Sequence, residues 1–306
     1  GNFPVVILIT GSGPQTRDEE IFGHKAFLVL SDYLTKNGIA VLRYDDRGIG
    51  QSTGDFKSAT SADFATDVES AIAYLKTRNE INKKKIGLIG HSEGGLIAPI
   101  VAAKSKDVAF IALLAGTGIQ GDQILLLQQK LIAKASGASD EEVQKTEEEN
   151  TKAYEIIKQA TSIEQLKIDL TNYYKQAFKE KPNADKPDGM SDDEFINLLV
   201  KVYATPWMQY LMKYNPAPTL EKVKCPVLAI NGAKDLQVPP KENLEGIKKA
   251  VTKGGNKKVT TIELPNLNHL FQECTTGSPD EYGTIEQTFS PTALTVVLNW
   301  IKTQTK

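Results

Sequence analysis

Residues Ile86-Gly87-Leu88-Ile89-Gly90-His91-Ser92-Glu93-Gly94-Gly95-Leu96 decide how this chain is read. A short apolar run ends on glycine, a serine stands two residues later, and two more glycines open a second apolar segment at helical spacing. That is a buried strand, a sharp turn and a helix, with G-x-S-x-G at the turn. The bare pattern is weak; the strand before it and the helix after it give it meaning. Side chains at Gly90 or Gly94 would collide with neighbouring backbone. The helix N-terminus beneath Ser92 favours a developing negative charge.

Working outward, strand-like runs recur at Val5–Thr10, Ile39–Tyr44, Ile86–Gly90, Val108–Ala115, Val227–Asn231 and Val259–Leu264. Helical stretches lie between the first four. Lys25–Asn37 stops at Gly38, a usual C-terminal signal. Ser61–Thr77 puts Phe64, Val68, Ile72 and Leu75 on one face, with Ser61 read as its N-cap. Glu93–Lys104 is the third. Alternating strands and helices predict a parallel sheet, and right-handed crossovers put helices on both faces. Between about Ile119 and Pro218 no strand is evident. Helices are expected at Asp122–Ser136, Asp140–Thr161, Ile163–Lys179 and Ser191–Tyr203, with a loop at Lys181–Gly189 and prolines at 206, 216 and 218 closing the segment. The expected organisation is a core of residues 1–118 and 219–306 with a helical insertion at 119–218. A last amphipathic helix runs from about Ser290 to Lys302.

A serine needs a base to act as a nucleophile. On an elbow of this kind the partners follow in chain order, acid and then histidine. Only His269 follows Ser92, in a loop just after a strand. Asp235, on the loop after the preceding strand, is the candidate acid, to hold the imidazole tautomer and stabilise its protonated form. Glu221 and Glu263 compete less well, since one precedes its strand and the other lies inside one. The oxyanion donors are expected to be the backbone N–H of Glu93 and of Ser12, the latter on the loop Thr10-Gly11-Ser12-Gly13-Pro14 after the first strand, with Gly11 and Gly13 as neighbouring choices. His91 reads as a packing residue and His24 as structural. Tyr203, Trp207 and Met208 lie in an aromatic and Met-rich stretch that suits either the wall of an acyl pocket or ordinary packing, with packing favoured.

The chain has 306 residues with 36 basic and 38 acidic side chains and a net charge of −2. That balance argues against an electrostatic nucleic-acid binder. No apolar run is long enough to span a membrane. Two cysteines and three histidines point away from a disulfide scaffold or a metal site, and no cofactor is expected. Gly11-Ser-Gly-Pro breaks the phosphate-binding glycine patterns. A buried-strand run directly after Gly1 suggests that natural sequence lies upstream, so localisation is not legible here. Oligomeric state is not legible either.

The motifs at Gly11–Pro14, Asp45–Ser52, Gly90–Gly95 and the Asp235 and His269 loops together resemble the α/β-hydrolase superfamily over about Phe3–Gly118 and Pro218–Lys306. More narrowly, Gly11-Ser-Gly-Pro-Gln-Thr-Arg17-Asp18-Glu19 with Gly-His-Ser-Glu-Gly-Gly looks like bacterial carboxylesterases grouped with prolyl-oligopeptidase-like hydrolases. The resemblance implies a mostly parallel sheet flanked by helices with a helical lid. It also implies hydrolysis of a small-molecule ester through an acyl-enzyme. A peptidase or amidase, or a binding protein on a hydrolase scaffold, are the alternatives. Where such families begin the first loop with His-Gly, this chain has Thr10-Gly11, so bracing by that histidine must be supplied otherwise.

Overall fold

A computed structural model describes residues 2–180 and 186–306. Of the loop expected at Lys181–Gly189, residues 181–185 lie outside the described residues. Six strands, β1 (Phe3–Ile9), β4 (Ala40–Leu42), β5 (Ile81–His91), β6 (Val108–Leu114), β7 (Val227–Gly232) and β8 (Val259–Leu264), form one sheet. Its order is β4-β1-β5-β6-β7-β8 and every pairing is parallel. A two-stranded ribbon, β2 (Glu20–Ile21) with β3 (His24–Lys25), stands apart.

Strand periodicity divides the core in two. Val5, Ile7, Ile9, Leu88, Ile111, Leu113 and Ala229 face one side, against α2 (Ser61–Thr77), α3 (Gly94–Ala102) and α10 (Pro240–Lys253). Val6, Leu8, Ile89, Ala112, Leu114 and Ile230 face the other, against α1 (Ala26–Lys36) and α11 (Pro291–Gln304). Both faces of β1, β6, β7 and the second half of β5 are buried, which is why these strands read as continuous apolar runs.

Between β6 and β7 come α4 (Gly121–Ala135), α5 (Asp140–Gln159), α6 (Ile163–Glu180), α7 (Asp192–Tyr203), α8 (Pro206–Lys213) and α9 (Ala217–Leu220). Several of these helices share a separate apolar cluster that includes Tyr154, Ile157, Leu166, Leu170, Met208 and Met212. Pro206, read from sequence as a closing signal, instead opens α8 at its first turn, with Thr205 as the N-cap accepting from Met208 N–H. Ser61 is corrected too: Thr60 caps α2 in a capping box with Asp63, and Ser61 is the first helical residue.

After β1 the chain pairs β4 on one side, then returns to place β5 on the other. This switch puts the loops leaving β1 and β5 side by side at the carboxyl ends of the strands, where open α/β sheets hold ligands.

Candidate active site

Ser92 stands at φ 51°, a left-handed conformation that costs a non-glycine residue free energy. The surroundings hold it there. Ser92 N–H donates to Leu114 C=O at 2.9 Å, and Ser92 C=O accepts from Gly95 N–H at 2.9 Å. A Cβ at Gly90 would fall 2.0 Å from the Gly94 carbonyl oxygen, and one at Gly94 would fall 2.1 Å from that of Ile9. Close approach of β1, β5 and α3 therefore requires both glycines.

The last two sheet strands, β7 and β8, lead into the loops that carry the other two side chains. A Cβ at Gly232 would fall 2.2 Å from the Leu267 carbonyl oxygen, so the loops after β7 and β8 lie in contact. Lys234 N–H donates to Leu267 C=O at 3.0 Å across that seam. Asn268, fully buried, accepts from Leu270 N–H and Gln272 N–H and sets the turn that carries His269. His269 Nδ1 donates to Asp235 Oδ2 at 2.8 Å, and both residues are buried. Asp235 Oδ1 accepts from Gln237 N–H and Val238 N–H, each at 2.8 Å. A carboxylate only accepts, so Nδ1 carries the proton and Nε2 is the basic nitrogen. Among the described residues no hydrogen bond joins Ser92 Oγ to His269; such contacts are often long before substrate binds.

The loop after β1 lies beside the elbow. Gly11 N–H donates to Glu19 Oε1 at 2.6 Å, which removes it as an oxyanion donor. Among the described residues the N–H groups of Ser12 and Glu93 have no protein partner. Thr10, in place of the histidine that similar families use, donates through Oγ1 to Asp46 Oδ1 at 2.8 Å. Asp46 Oδ2 accepts from Gln15 N–H at 2.9 Å, and Asp45 takes the Arg17 guanidinium and backbone N–H. The Asp45-Asp46 pair thus fills the bracing role.

Ser12, Ser92 and Glu93 open on a cleft with room for about 80 Å³, walled by Leu96, Ile124, Leu125, Trp207, Leu211 and Val238. Trp207 reaches it from α8 and donates its indole N–H to Glu93 Oε1 at 2.8 Å; Ser61 Oγ donates to the same oxygen at 2.6 Å. Tyr203 and Met208 are not in this wall. Both lie in the apolar cluster of the inserted helices, Tyr203 against Tyr154 with ring centroids 6.0 Å apart. A larger hollow of about 430 Å³ near Glu69, Lys76, Lys104 and Asp107 sits at the opposite end of the strands, away from this chemistry. His24 ties β3 to Thr288 and to the Tyr282 carbonyl. Sequence reasoning named Trp207 as a candidate wall while favouring packing, passed over the cleft wall from α4, and missed the partners of His91. Helical periodicity marks an apolar face but not what that face meets.

Burial pushes Asp46 up to about 6, against the hydrogen bonds from Thr10 and Gln15. Glu93 also shifts upward through burial. A carboxyl whose folded pKa exceeds its ordinary 3.8 holds more protons in the folded state, so its contribution falls as pH rises from about 4 through 6. Asp46→Asn removes that loss. Its amide oxygen still accepts from Gln15, and its NH2 donates to a reoriented Thr10 hydroxyl. Relative to the parent chain, the variant is expected to gain on the order of 2 kcal/mol at pH 8 and nothing near pH 4. Thermal melts across pH check this; parallel curves would refute it.

The parallel sheet, the elbow and the order of its loops make an α/β-hydrolase fold, and comparison with known proteins agrees on that fold. A family model described as "Serine aminopeptidase, S33" matches residues 24–174, which include the elbow and exclude the Asp235 and His269 loops. Esterase EstD of Thermotoga maritima is 26% identical over 271 residues, 89% of this chain and 55% of that protein. The chain therefore spans little more than half of that relative. Among solved structures, the α/β hydrolase GrgF from Penicillium sp. sh18 superposes with TM-score 0.58 at 16% identity, covering 99% of this chain and 90% of that one. A monoacylglycerol lipase from Paleococcus ferrophilus gives TM-score 0.53 at 16% identity, covering 99% and 96%. Among the described residues no group of three or more side chains is suited to hold a metal ion, no helix is long and apolar enough to cross a membrane, and Cys225 and Cys274 are unpaired.

Proposed function

We propose that this protein is a serine esterase acting on short-chain carboxylic esters. The observation that carries the reading is the buried Asp235–His269 hydrogen bond beside an elbow that presents Ser92 to the cleft. In this reading His269 Nε2 takes the Ser92 proton as Oγ attacks the ester carbonyl. The Ser12 and Glu93 N–H groups receive the oxyanion. The imidazolium then protonates the leaving alkoxide, and the same nitrogen activates the water that releases the acid. Residues 119–218 act as a lid over the core, with Trp207 closing the acyl end. The likeness to EstD supports an ester substrate, while the aminopeptidase description of the matching family model favours amide cleavage as the second reading.

The experiment is a p-nitrophenyl ester ladder, acetate to dodecanoate, beside aminoacyl p-nitroanilides, with fluorophosphonate labelling of Ser92. About 80 Å³ is far below the few hundred Å³ of most ligand pockets, so turnover is expected to peak at acetate to butyrate. Trp207→Ala opens the acyl end and should move the optimum to longer chains by two or more carbons. A dodecanoate optimum in the parent chain would refute this sizing. Preference for the anilides would move the assignment to peptidase, and failure to label Ser92 would remove it.

A further inference from the structure

Beneath the elbow His91 and His269 lie in ring contact, centroids 4.9 Å apart. The proposed reaction uses only His269, yet His91 is just as deeply buried and both of its nitrogens are engaged. Nε2 is 3.0 Å from the His269 carbonyl oxygen, which can only accept, so Nε2 carries a proton. Nδ1 is 3.0 Å from Glu19 Oε1. That oxygen also accepts from Gly11 N–H, and Glu19 Oε2 is buried with no partner. Among the described residues no Lys or Arg pairs with Glu19. A carboxylate in so dry a place needs an opposite charge, which only His91 offers, so Nδ1 donates as well. The groups facing His91 are Glu19, the His269 ring and carbonyl, Phe271 and, further off, Asp235. Glu19 itself is held at φ 48°, between the Thr16 carbonyl bonded to its N–H and the ribbon that follows. The fold keeps this residue in a costly conformation with its carboxyl under the loop after β1.

We propose that Glu19 and His91 form a buried carboxylate–imidazolium pair that positions both halves of the acyl-transfer site. Glu19 fixes the oxyanion loop through Gly11, and His91 fixes the catalytic imidazole's loop through the His269 carbonyl. Both are positioning residues, and their assignment rests on the esterase reading. The pair explains why the loop turns its first N–H inward and leaves the following N–H groups for substrate. It also gives His91, read from sequence as packing, a specific task between two loops 250 residues apart in the chain, a separation on the order of the whole domain.

Glu19→Gln preserves shape and can still accept from Gly11, but it removes the charge. His91→Gln keeps one donor and removes the ring. Each is expected to lower kcat 10- to 100-fold on the best p-nitrophenyl ester while KM moves less than threefold. Affinity for an alkylboronic acid, which forms a tetrahedral adduct on the serine, should fall in parallel. The double variant should lose no more than the worse single one. Residues that only stabilise the fold would lower the melting temperature and leave kcat and boronate affinity of the folded protein unchanged; that result would overturn the proposal. The parent chain supplies a test that needs no variant. Nitrogen-15 NMR at pH 7 should find both His91 ring nitrogens protonated, and one bare nitrogen would overturn the pair. Failure of the parent chain to label with fluorophosphonate would remove the esterase reading instead. An active parent with fully active variants would remove only this inference.

Discussion

Ser92→Ala is expected to lower kcat for the best ester by on the order of 10⁶-fold and to leave the fold intact. The substitution deletes one atom, Oγ. The backbone bonds that hold the elbow, Ser92 N–H to Leu114 C=O and Gly95 N–H to Ser92 C=O, do not involve it. Alanine at φ 51° is strained no more than serine, since the clash lies with Cβ. Stability should therefore change by less than about 1 kcal/mol, as for substitutions away from core packing. In the proposed mechanism Ser92 Oγ is the nucleophile, so its loss removes the acyl-enzyme route. The Ser12 and Glu93 N–H groups would still stabilise a tetrahedral species formed by water, which leaves a residual rate roughly 10³- to 10⁴-fold above the uncatalysed one. Steady-state kinetics, fluorophosphonate labelling and a melting curve on the same preparation decide it. Retention of more than about one part in a hundred of the parent kcat, beyond the reach of oxyanion stabilisation alone, would mean that Ser92 is not the nucleophile.

The parts of this arrangement that sequence made legible are those with local causes. Buried parallel strands show as apolar runs, and the strands over Val5–Ile9 and Val108–Leu114 lie where those runs put them. The elbow is local too, since four glycines and a serine in eleven residues leave few other uses. Asp235 and His269 followed from their place on loops after successive strands, and the structure brings their side chains together. What escaped depends on contacts across the chain. Nothing near Asn82–Lys85 reads as strand, yet β5 begins at Ile81 because Ile81 finds Phe3 beside it in the sheet. Ser61 and Thr60 are equally good caps by type. Thr60 takes the cap because Asp63 reaches back to it, and Ser61 is turned inward to Glu93, 32 residues away. Glu19 meets His91 across 72 residues. Trp207 stood in a stretch suited to packing or to a pocket. Its neighbours Tyr203 and Met208 pack, and it alone of the three reaches the cleft, because Glu93 accepts its indole N–H.

Asp235→Asn is expected to cost about 10⁴-fold in kcat with the site otherwise in place. The reason is specific to the hydrogen bonds this carboxylate makes. Oδ1 accepts from two backbone donors, Gln237 N–H and Val238 N–H. An asparagine must keep its carbonyl oxygen there, because an NH2 group would face two N–H groups. Its NH2 is then forced onto the side of His269 Nδ1, at present 2.8 Å from Oδ2. Facing a donor, Nδ1 must accept, so the proton of the neutral imidazole moves to Nε2. That nitrogen can then no longer take the Ser92 proton. The variant should fold normally, since the loop N–H groups stay paired and side-chain volume is unchanged. It should bind boronic acids more weakly and label slowly with fluorophosphonate, in step with kcat. Asp235→Ala tests the same point differently: it leaves Nδ1 free of any forced donor, so both tautomers form, but it strips Gln237 and Val238 of their acceptor. It should therefore be more active than Asp235→Asn and less stable. The reverse order of activities would mean that Asp235 acts by its charge and not by setting the tautomer. Full activity in both would move the acid of the triad elsewhere.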